Sequence, residues 1–175
     1  QVWSLNTRGN ELLMGHHEGA FKLENGALRR LSPLSGAWTF VQLSERYLLG
    51  GAYSGLFLYR KTASGWSFER QVEGLTESCR IMVRDDNGAV WISHPYRGLY
   101  RVQWSEEQAE RVEVQFFNAA NGLPSDLNNY VFQIAGKAVF ATEKGLYRYD
   151  SANNRFAPDA EFNHVLGSPT RLRYL

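Results

Sequence analysis

Short apolar segments alternate with polar turns along the chain, and one arrangement of them occurs four times. In each copy an apolar strand ends in a small residue, a short loop follows, and a glycine then begins a strand with an apolar and an aromatic residue. The copies are Leu12–Phe21, Leu48–Phe57, Trp91–Tyr100 and Val139–Tyr147. Their glycines stand at positions 19, 55, 98 and 145, in steps of 36, 43 and 47 residues. A period of about 40 residues with several short strands per unit is typical of β-propeller blades.

The repeat predicts an all-β chain of about four four-stranded antiparallel blades, which form a β-propeller fragment of a larger propeller. We place the blades at residues 1–36, 37–77, 78–124 and 125–167, with 168–175 as the start of a further blade. The innermost strands are predicted at Val2–Leu5, Thr39–Leu43, Arg80–Arg84 and Tyr130–Ile134. The segment Phe162–Leu166 breaks the strand pattern and predicts a short helix.

Two structural expectations follow from the blade pattern. Trp91 occupies a second-strand position where bulk is needed, so we expect it to be buried between blades and to stabilise the fold rather than bind a ligand. The terminal blades each lack a neighbour, so we expect their open faces to be covered by the remaining propeller blades or by self-association. The chain opens on Gln1 rather than Met, which indicates a fragment or a processed form.

Composition narrows the classes of partner. The 19 basic and 18 acidic residues are spread along the chain and give a net charge of +1. Nucleic acids and membrane surfaces attract a basic stripe, so we expect no nucleic acid and no membrane contact for this segment. The single cysteine, Cys79, cannot form an internal disulfide and is predicted to be a packed small side chain.

Two motifs carry a family resemblance. One is the Gly-Leu-Pro-Ser run within Asn121–Ser125, and the other is Asp85–Ile92, which a Gly-Leu-Tyr at residues 98–100 follows. Together they resemble the two-component regulator propeller repeat. Such repeats form the periplasmic sensor region of Bacteroidetes hybrid two-component regulators, which continue into a triple-tyrosine domain, a membrane helix and an output domain.

The resemblance implies a function for this segment. It implies a periplasmic sensor domain that binds carbohydrate, or transmits its binding, in signal transduction to a phosphorelay and transcription regulation. The parent protein would carry a histidine kinase or a helix-turn-helix domain. None of that machinery lies in these residues, so the segment itself is predicted not to be an enzyme and to need no cofactor.

The candidate ligand site follows from propeller topology. Loops that join second to third strands fall on one face, together with the connections between blades. On that face we predict an oligosaccharide site made of Tyr96, Arg97, His94, Tyr53 and His17. Tyr96 would supply a stacking surface, and Arg97 would supply a planar pair of donors for hydroxyl groups or a carboxylate.

Other kinds of site have weaker support in the sequence. The adjacent histidines His16 and His17 would point to opposite sides of a strand, so we predict no metal site. We assign no catalytic residues, because no nucleophile and base occur in a recognisable arrangement. Two alternatives to a sensor stay open: a secreted propeller enzyme such as a carbohydrate lyase that uses His94, Tyr96 and Arg97, and a non-catalytic protein-interaction propeller.

Overall fold

The computed structural model describes residues 1–8, 10–108 and 111–166, and these residues form four four-stranded antiparallel sheets. The first sheet contains β1 (Val2–Arg8), β2 (Glu11–His16), β3 (Gly19–Glu24) and β4 (Ala27–Arg30). The second contains β5 (Ala37–Gln42), β6 (Tyr47–Ala52), β7 (Gly55–Thr62) and β8 (Gly65–Gln71). In both sheets the strands lie side by side in chain order, as in a propeller blade.

The third and fourth sheets repeat this arrangement. The third contains β9 (Ile81–Arg84), β10 (Val90–His94), β11 (Gly98–Trp104) and β12 (Val112–Phe117). The fourth contains β13 (Tyr130–Ile134), β14 (Lys137–Thr142), β15 (Gly145–Asp150) and β16 (Arg155–Pro158). The prediction of an all-β chain of four-stranded antiparallel blades is confirmed. The expected start of a further blade, 168–175, lies outside the described residues.

Individual strand ends differ from the predicted ones. The innermost strand of the fourth sheet matches the prediction, whereas β1 continues to Arg8 instead of ending at Leu5. The hairpin register explains this extension, because Thr7 pairs with Leu12 and Arg8 pairs with Glu11. Polar side chains conceal a strand from a hydrophobicity pattern, but backbone pairing does not depend on them. The other two innermost strands differ by one or two residues at their ends: β5 runs from Ala37 to Gln42 instead of Thr39 to Leu43, and β9 begins at Ile81 instead of Arg80.

The chain divides into two compact units. The first unit comprises Gln1–Met82 and Trp104–Val112, and the second comprises Val83–Gln103 and the described residues from Glu113 onward. The stretch 104–112 belongs to the first unit because the ring of Trp104 packs 5.1 Å from that of Tyr47. The first unit therefore contains the first two sheets, and the second contains the fourth sheet and most of the third.

The core of the first unit lies between its two sheets. Every residue of β6 is buried, and Leu13, Phe57 and Tyr59 are among the fully buried side chains. The ammonium of Lys22 is also buried there, where it donates to the carboxylate of Glu24 at 3.0 Å and to the carbonyl of Ser64 at 2.7 Å. These partners offset the desolvation of the charge, which would otherwise make the position unfavourable.

The opposite face of the first sheet is apolar and exposed. Leu5, Leu23 and Leu28 are 63%, 42% and 55% exposed. Leu23 pairs with Leu28 across the sheet, so these side chains share one face. The prediction that such a face associates with another blade or another copy follows from this exposure and stays a prediction.

The core of the second unit is centred on Trp91. Its indole is 1% exposed and lies within 6 Å of four aromatic rings. The rings are those of Phe117 in the third sheet and of Phe140, Tyr149 and Phe156 in the fourth. The indole nitrogen donates to Asp85 at 2.9 Å, so the polar end of the side chain is satisfied as well. The prediction that Trp91 is buried between two blades is confirmed.

The predicted short helix is also present, as α1 (Ala160–Leu166). Asp159 accepts a hydrogen bond from the backbone N–H of Phe162 and so caps the start of the helix. The side chain of Asn163 bonds both the N–H and the carbonyl of Leu146, at 2.8 and 2.7 Å. These bonds hold α1 against the first residues of β15.

Cys79 behaves as the sequence predicts. It is a free cysteine, and its side chain is 1% exposed. Burial, with a smaller contribution from the nearby charge of Glu77, raises the pKa of the thiol to about 12. The thiolate is therefore scarce at neutral pH, and the side chain packs as a small apolar group.

Candidate functional site

The loops of the first unit meet on one face, as the topology predicts. The N–H of Gly36, in the connection between the first two sheets, donates to the carbonyl of His17 at 2.8 Å. The N–H of Tyr53, in the loop between β6 and β7, donates to the carbonyl of Gly36 at 2.9 Å. Gly36 has a φ of +80° and its position for a Cβ is filled by the ring of Tyr53, so only glycine fits this contact.

Two of the predicted site residues touch each other in this unit. The Nδ1 atom of His17 lies 3.0 Å from the hydroxyl of Tyr53, and the two rings are 5.7 Å apart. His17 is exposed and Tyr53 is half-buried. His16 differs, because its ring packs edge-on against Phe21. The two adjacent histidines therefore have separate surroundings.

Sequence reasoning missed two tryptophans that extend this pair of rings. Trp38 lies 5.0 Å from Tyr53, and Trp3 lies 4.6 Å from Trp38, measured between ring centroids. Both indoles belong to the innermost strands of their sheets and are half-buried. We name the set Trp3, Trp38, Tyr53 and His17 the aromatic surface. Innermost strands line a propeller's axis, and this rule could have identified the tryptophans.

The central indole of the aromatic surface is held in place from two directions. Its nitrogen donates to the hydroxyl of Ser78 at 2.9 Å. The guanidinium of Arg80 lies 5.0 Å from the ring centroid of Trp38, which is a cation–π contact. A ligand that stacks on Trp38 would meet a ring that is already fixed in orientation.

The other predicted site residues lie together in the second unit. His94 ends β10, and Tyr96 and Arg97 belong to the turn that follows it. The Nδ1 atom of His94 accepts a hydrogen bond from the N–H of Tyr96 at 3.3 Å. The ring of Tyr96 is 76% exposed. The carbonyl of Pro95 accepts from Asn128, so the connection between the third and fourth sheets adjoins this turn. The structure thus groups His17 with Tyr53, and His94 with Tyr96 and Arg97.

The sequence did not indicate a cavity that the second unit contains. Its volume is about 510 Å³, which lies within the range of small-molecule sites. Its walls include Trp91 and Tyr149 together with the charged side chains of Arg101, Lys137 and Arg148.

Within the described ranges, no group of three or more His, Cys, Asp or Glu side chains is placed to hold a metal ion.

None of the helices described here is long and apolar enough to cross a membrane.

The four sheets and their connections define a segment of β-propeller blades, and structural comparison agrees. Over 90% of its length the chain is similar to the extracellular domain of BT4673 from B. thetaiotaomicron, with a TM-score of 0.67 and 20% identity. That protein is described as a one-component system in one crystal structure and as a hybrid two-component system in another. The extracellular domain of the hybrid two-component system BT3049, from the same organism, is similar over 99% of the chain, with a TM-score of 0.58 and 19% identity.

Propellers of other kinds are similar as well. The WD40 propeller domain of Doa1 has a TM-score of 0.54 and 14% identity over 92% of the chain, which covers 52% of the Doa1 chain. The chain spans 21% of the BT4673 domain and 24% of the BT3049 domain. No family model and no curated protein matches the sequence. At these identities the similarity shows the propeller fold.

Proposed function

We propose that this chain is a ligand-binding segment of an extracytoplasmic sensor propeller, and that its ligand is a carbohydrate. The similarity to extracellular domains of two-component systems supports the sensor role and the location. In this proposal the segment is periplasmic and non-catalytic. The parent protein passes the signal to a histidine kinase, a phosphorelay and transcription.

The observation that carries the carbohydrate proposal is the aromatic surface. Sugar rings present flat C–H faces that pack on aromatic rings and hydroxyl groups that need fixed hydrogen-bond partners. The aromatic surface offers both, since its two half-buried indoles adjoin the hydroxyl of Tyr53 and the imidazole of His17. Arg80, which stacks on Trp38, adds N–H donors beside the rings.

In this proposal His94, Tyr96 and Arg97 form a separate binding surface within the second unit. Tyr96 is exposed enough to stack on a sugar, and Arg97 would donate to a pair of hydroxyls. Its test is separate from that of the aromatic surface, because Tyr96→Ala and Arg97→Ala change nothing in the first unit.

Calorimetric titration with host and plant oligosaccharides tests the proposal. For an oligosaccharide that binds, we expect Trp38→Ala to raise Kd about fivefold or more, since stacking on an aromatic ring contributes on the order of 1 kcal/mol or more. Trp104→Ala is the matched control, because it removes a half-buried indole from the same unit outside the aromatic surface. Equal losses in the two variants would contradict the proposal.

Two outcomes favour the alternative functions. Formation of an unsaturated product from an acidic polysaccharide, abolished by His94→Ala, would indicate a lyase instead. Absence of any carbohydrate binding, with signalling intact in cells, would indicate a protein-interaction propeller.

A further inference from the structure

The cavity of the second unit contains a cation that has no counter-ion among the residues that the structure describes. Arg101, on β11, is directly opposite Trp91 on β10, and its side chain lines the cavity. Among the described residues its guanidinium makes no ion pair, and its Nε atom is buried without a hydrogen-bond partner. Arg101 is half-buried, and a partly desolvated charge without a carboxylate partner favours binding of an anion from outside.

Aromatic rings fix the position of this guanidinium. Its central carbon lies 5.7 Å from the ring centroid of Trp91 and 5.3 Å from that of Tyr149. These rings keep the guanidinium in place without using its N–H groups. A planar and pre-positioned guanidinium is well suited to bind a carboxylate through two parallel hydrogen bonds.

The carboxylates nearest the floor of the cavity are already engaged by the protein. Asp85 accepts from the N–H groups of Asn87 and Ala89 and from the indole of Trp91. Asp159, which is 6% exposed, accepts from the first turn of α1. Neither forms an ion pair with Arg101 within the part of the chain that the structure describes.

The remaining charged groups of the lining are mixed in sign. Lys137 and Arg148 are exposed cations, and Asp86 and Glu161 are exposed anions. Such a set of donors and acceptors suits a ligand that carries hydroxyl groups as well as one negative charge.

We propose that this cavity is a second carbohydrate site, specific for a sugar that carries a carboxylate, which Arg101 binds. The inference rests on the proposed function in taking a sugar as the ligand, but it concerns a different unit and different residues. The cavity volume accommodates one or two sugar rings, and the exposed charged groups at its edge would bind their hydroxyls.

The five tryptophans of the chain allow both proposals to be tested in one spectrum. In a ¹H–¹⁵N NMR titration, galacturonate should shift the indole signal of Trp91, whereas galactose at the same concentration should not. Neutral oligosaccharides should instead shift the indole signals of Trp3 and Trp38. A failure at one set of signals therefore leaves the result at the other set interpretable.

Substitution of Arg101 provides the second measurement. Arg101→Gln should weaken galacturonate binding at least tenfold, and Arg101→Lys, which keeps the charge but not the planar donor pair, should restore only part of it. Arg155→Gln is the matched control, since it removes an exposed charge from the same unit outside the cavity. The Trp91 indole signal of each variant checks that the unit is folded.

Three results would overturn the proposal. In the NMR titration, two of these are a Trp91 indole signal that responds equally to galacturonate and galactose, and a Trp91 signal that responds to neither. The third is equal galacturonate affinity in Arg101→Gln and Arg155→Gln.

Discussion

Two aromatic clusters, one in each unit, differ in exposure more than in composition. Around Trp91 in the second unit, Phe117 and Phe140 are fully buried. In the first unit, Trp3 and Trp38 are half-buried and continue into the polar rings of Tyr53 and His17. The cluster around Trp91 is made by strands that face a neighbouring sheet, whereas the cluster of Trp3 and Trp38 is made by innermost strands and loops. Position within the blade, rather than residue type, therefore separates core from candidate binding surface.

The largest expected difference between the clusters is in stability. Trp91→Ala should lower the free energy of unfolding by about 3–5 kcal/mol, because it leaves a cavity among rings that cannot collapse into it. Trp38→Ala should cost only about 1 kcal/mol, since water can occupy the space beside a half-buried ring. Urea unfolding followed by circular dichroism measures both values. Similar losses in the two variants would show that the aromatic surface is core after all.

A second comparison concerns the backbone beneath the buried cluster. Gly98 has a φ of +118°, and a Cβ there would collide with the carbonyl oxygen of Phe117. Gly74 also has a positive φ, +86°, but nothing lies within 4 Å of its Cβ position. We expect Gly98→Ala to cost about 3 kcal/mol and Gly74→Ala about 1 kcal/mol, the strain of the conformation alone. Denaturation midpoints that shift equally would mean that the close approach to Phe117 contributes nothing.

The hydrogen bond of the Trp91 indole should contribute more to stability than that of the Trp38 indole. Asp85→Asn removes the acceptor of a buried N–H and should cost about 1–3 kcal/mol. Ser78→Ala removes the acceptor of the Trp38 indole N–H, which can donate to water instead. The substitution should lower the free energy of unfolding by about 0.5 kcal/mol. Thermal melts of both variants measure this pair. A larger loss of stability in Ser78→Ala than in Asp85→Asn would show that the Trp38 indole, and not the Trp91 indole, is the buried one.

The smallest expected effect on stability near neutral pH concerns Cys79, between Ser78 and Arg80. The folded thiol has a pKa of about 12 and the ordinary value is 9.0, so at pH 8 the folded state has about a thousandfold less thiolate. A thiol reagent should therefore label the unfolded chain rapidly and the folded chain hardly at all. Because folding raises this pKa, stability should fall as the pH rises above 9.0, and Cys79→Ala should remove that part of the decline. Rapid labelling of the folded chain would show an opening beneath the aromatic surface.

The fold could be predicted from the sequence because each sheet repeats the same local signals. A glycine with positive φ opens β3, β7, β11 and β15, and an apolar and an aromatic residue follow it in every copy. The missed end of β1 is polar, at Thr7 and Arg8, where backbone pairing holds the strand and hydrophobicity gives no indication.

The candidate site was only partly accessible to sequence reasoning. Topology correctly placed His17 beside Tyr53, because strand connectivity fixes which loops adjoin. Trp3 fell inside a predicted strand and Trp38 just before one, and neither was considered for the site, since alternation does not distinguish the innermost strand from the others. The isolation of Arg101 could not be predicted, because it depends on which carboxylates the turns and α1 already engage.

The interleaving of the two units has a consequence for synthesis on the ribosome. The first unit needs residues 104–112, where Trp104 packs on Tyr47 and Glu106 pairs with Arg46 at 3.6 Å. Its contacts cannot be completed when residue 82 emerges, and they must wait until the β10–β11 hairpin of the second unit has also been made. The nascent chain therefore completes the first unit only after the second has begun, and a stop codon after residue 82 would release an unfinished domain.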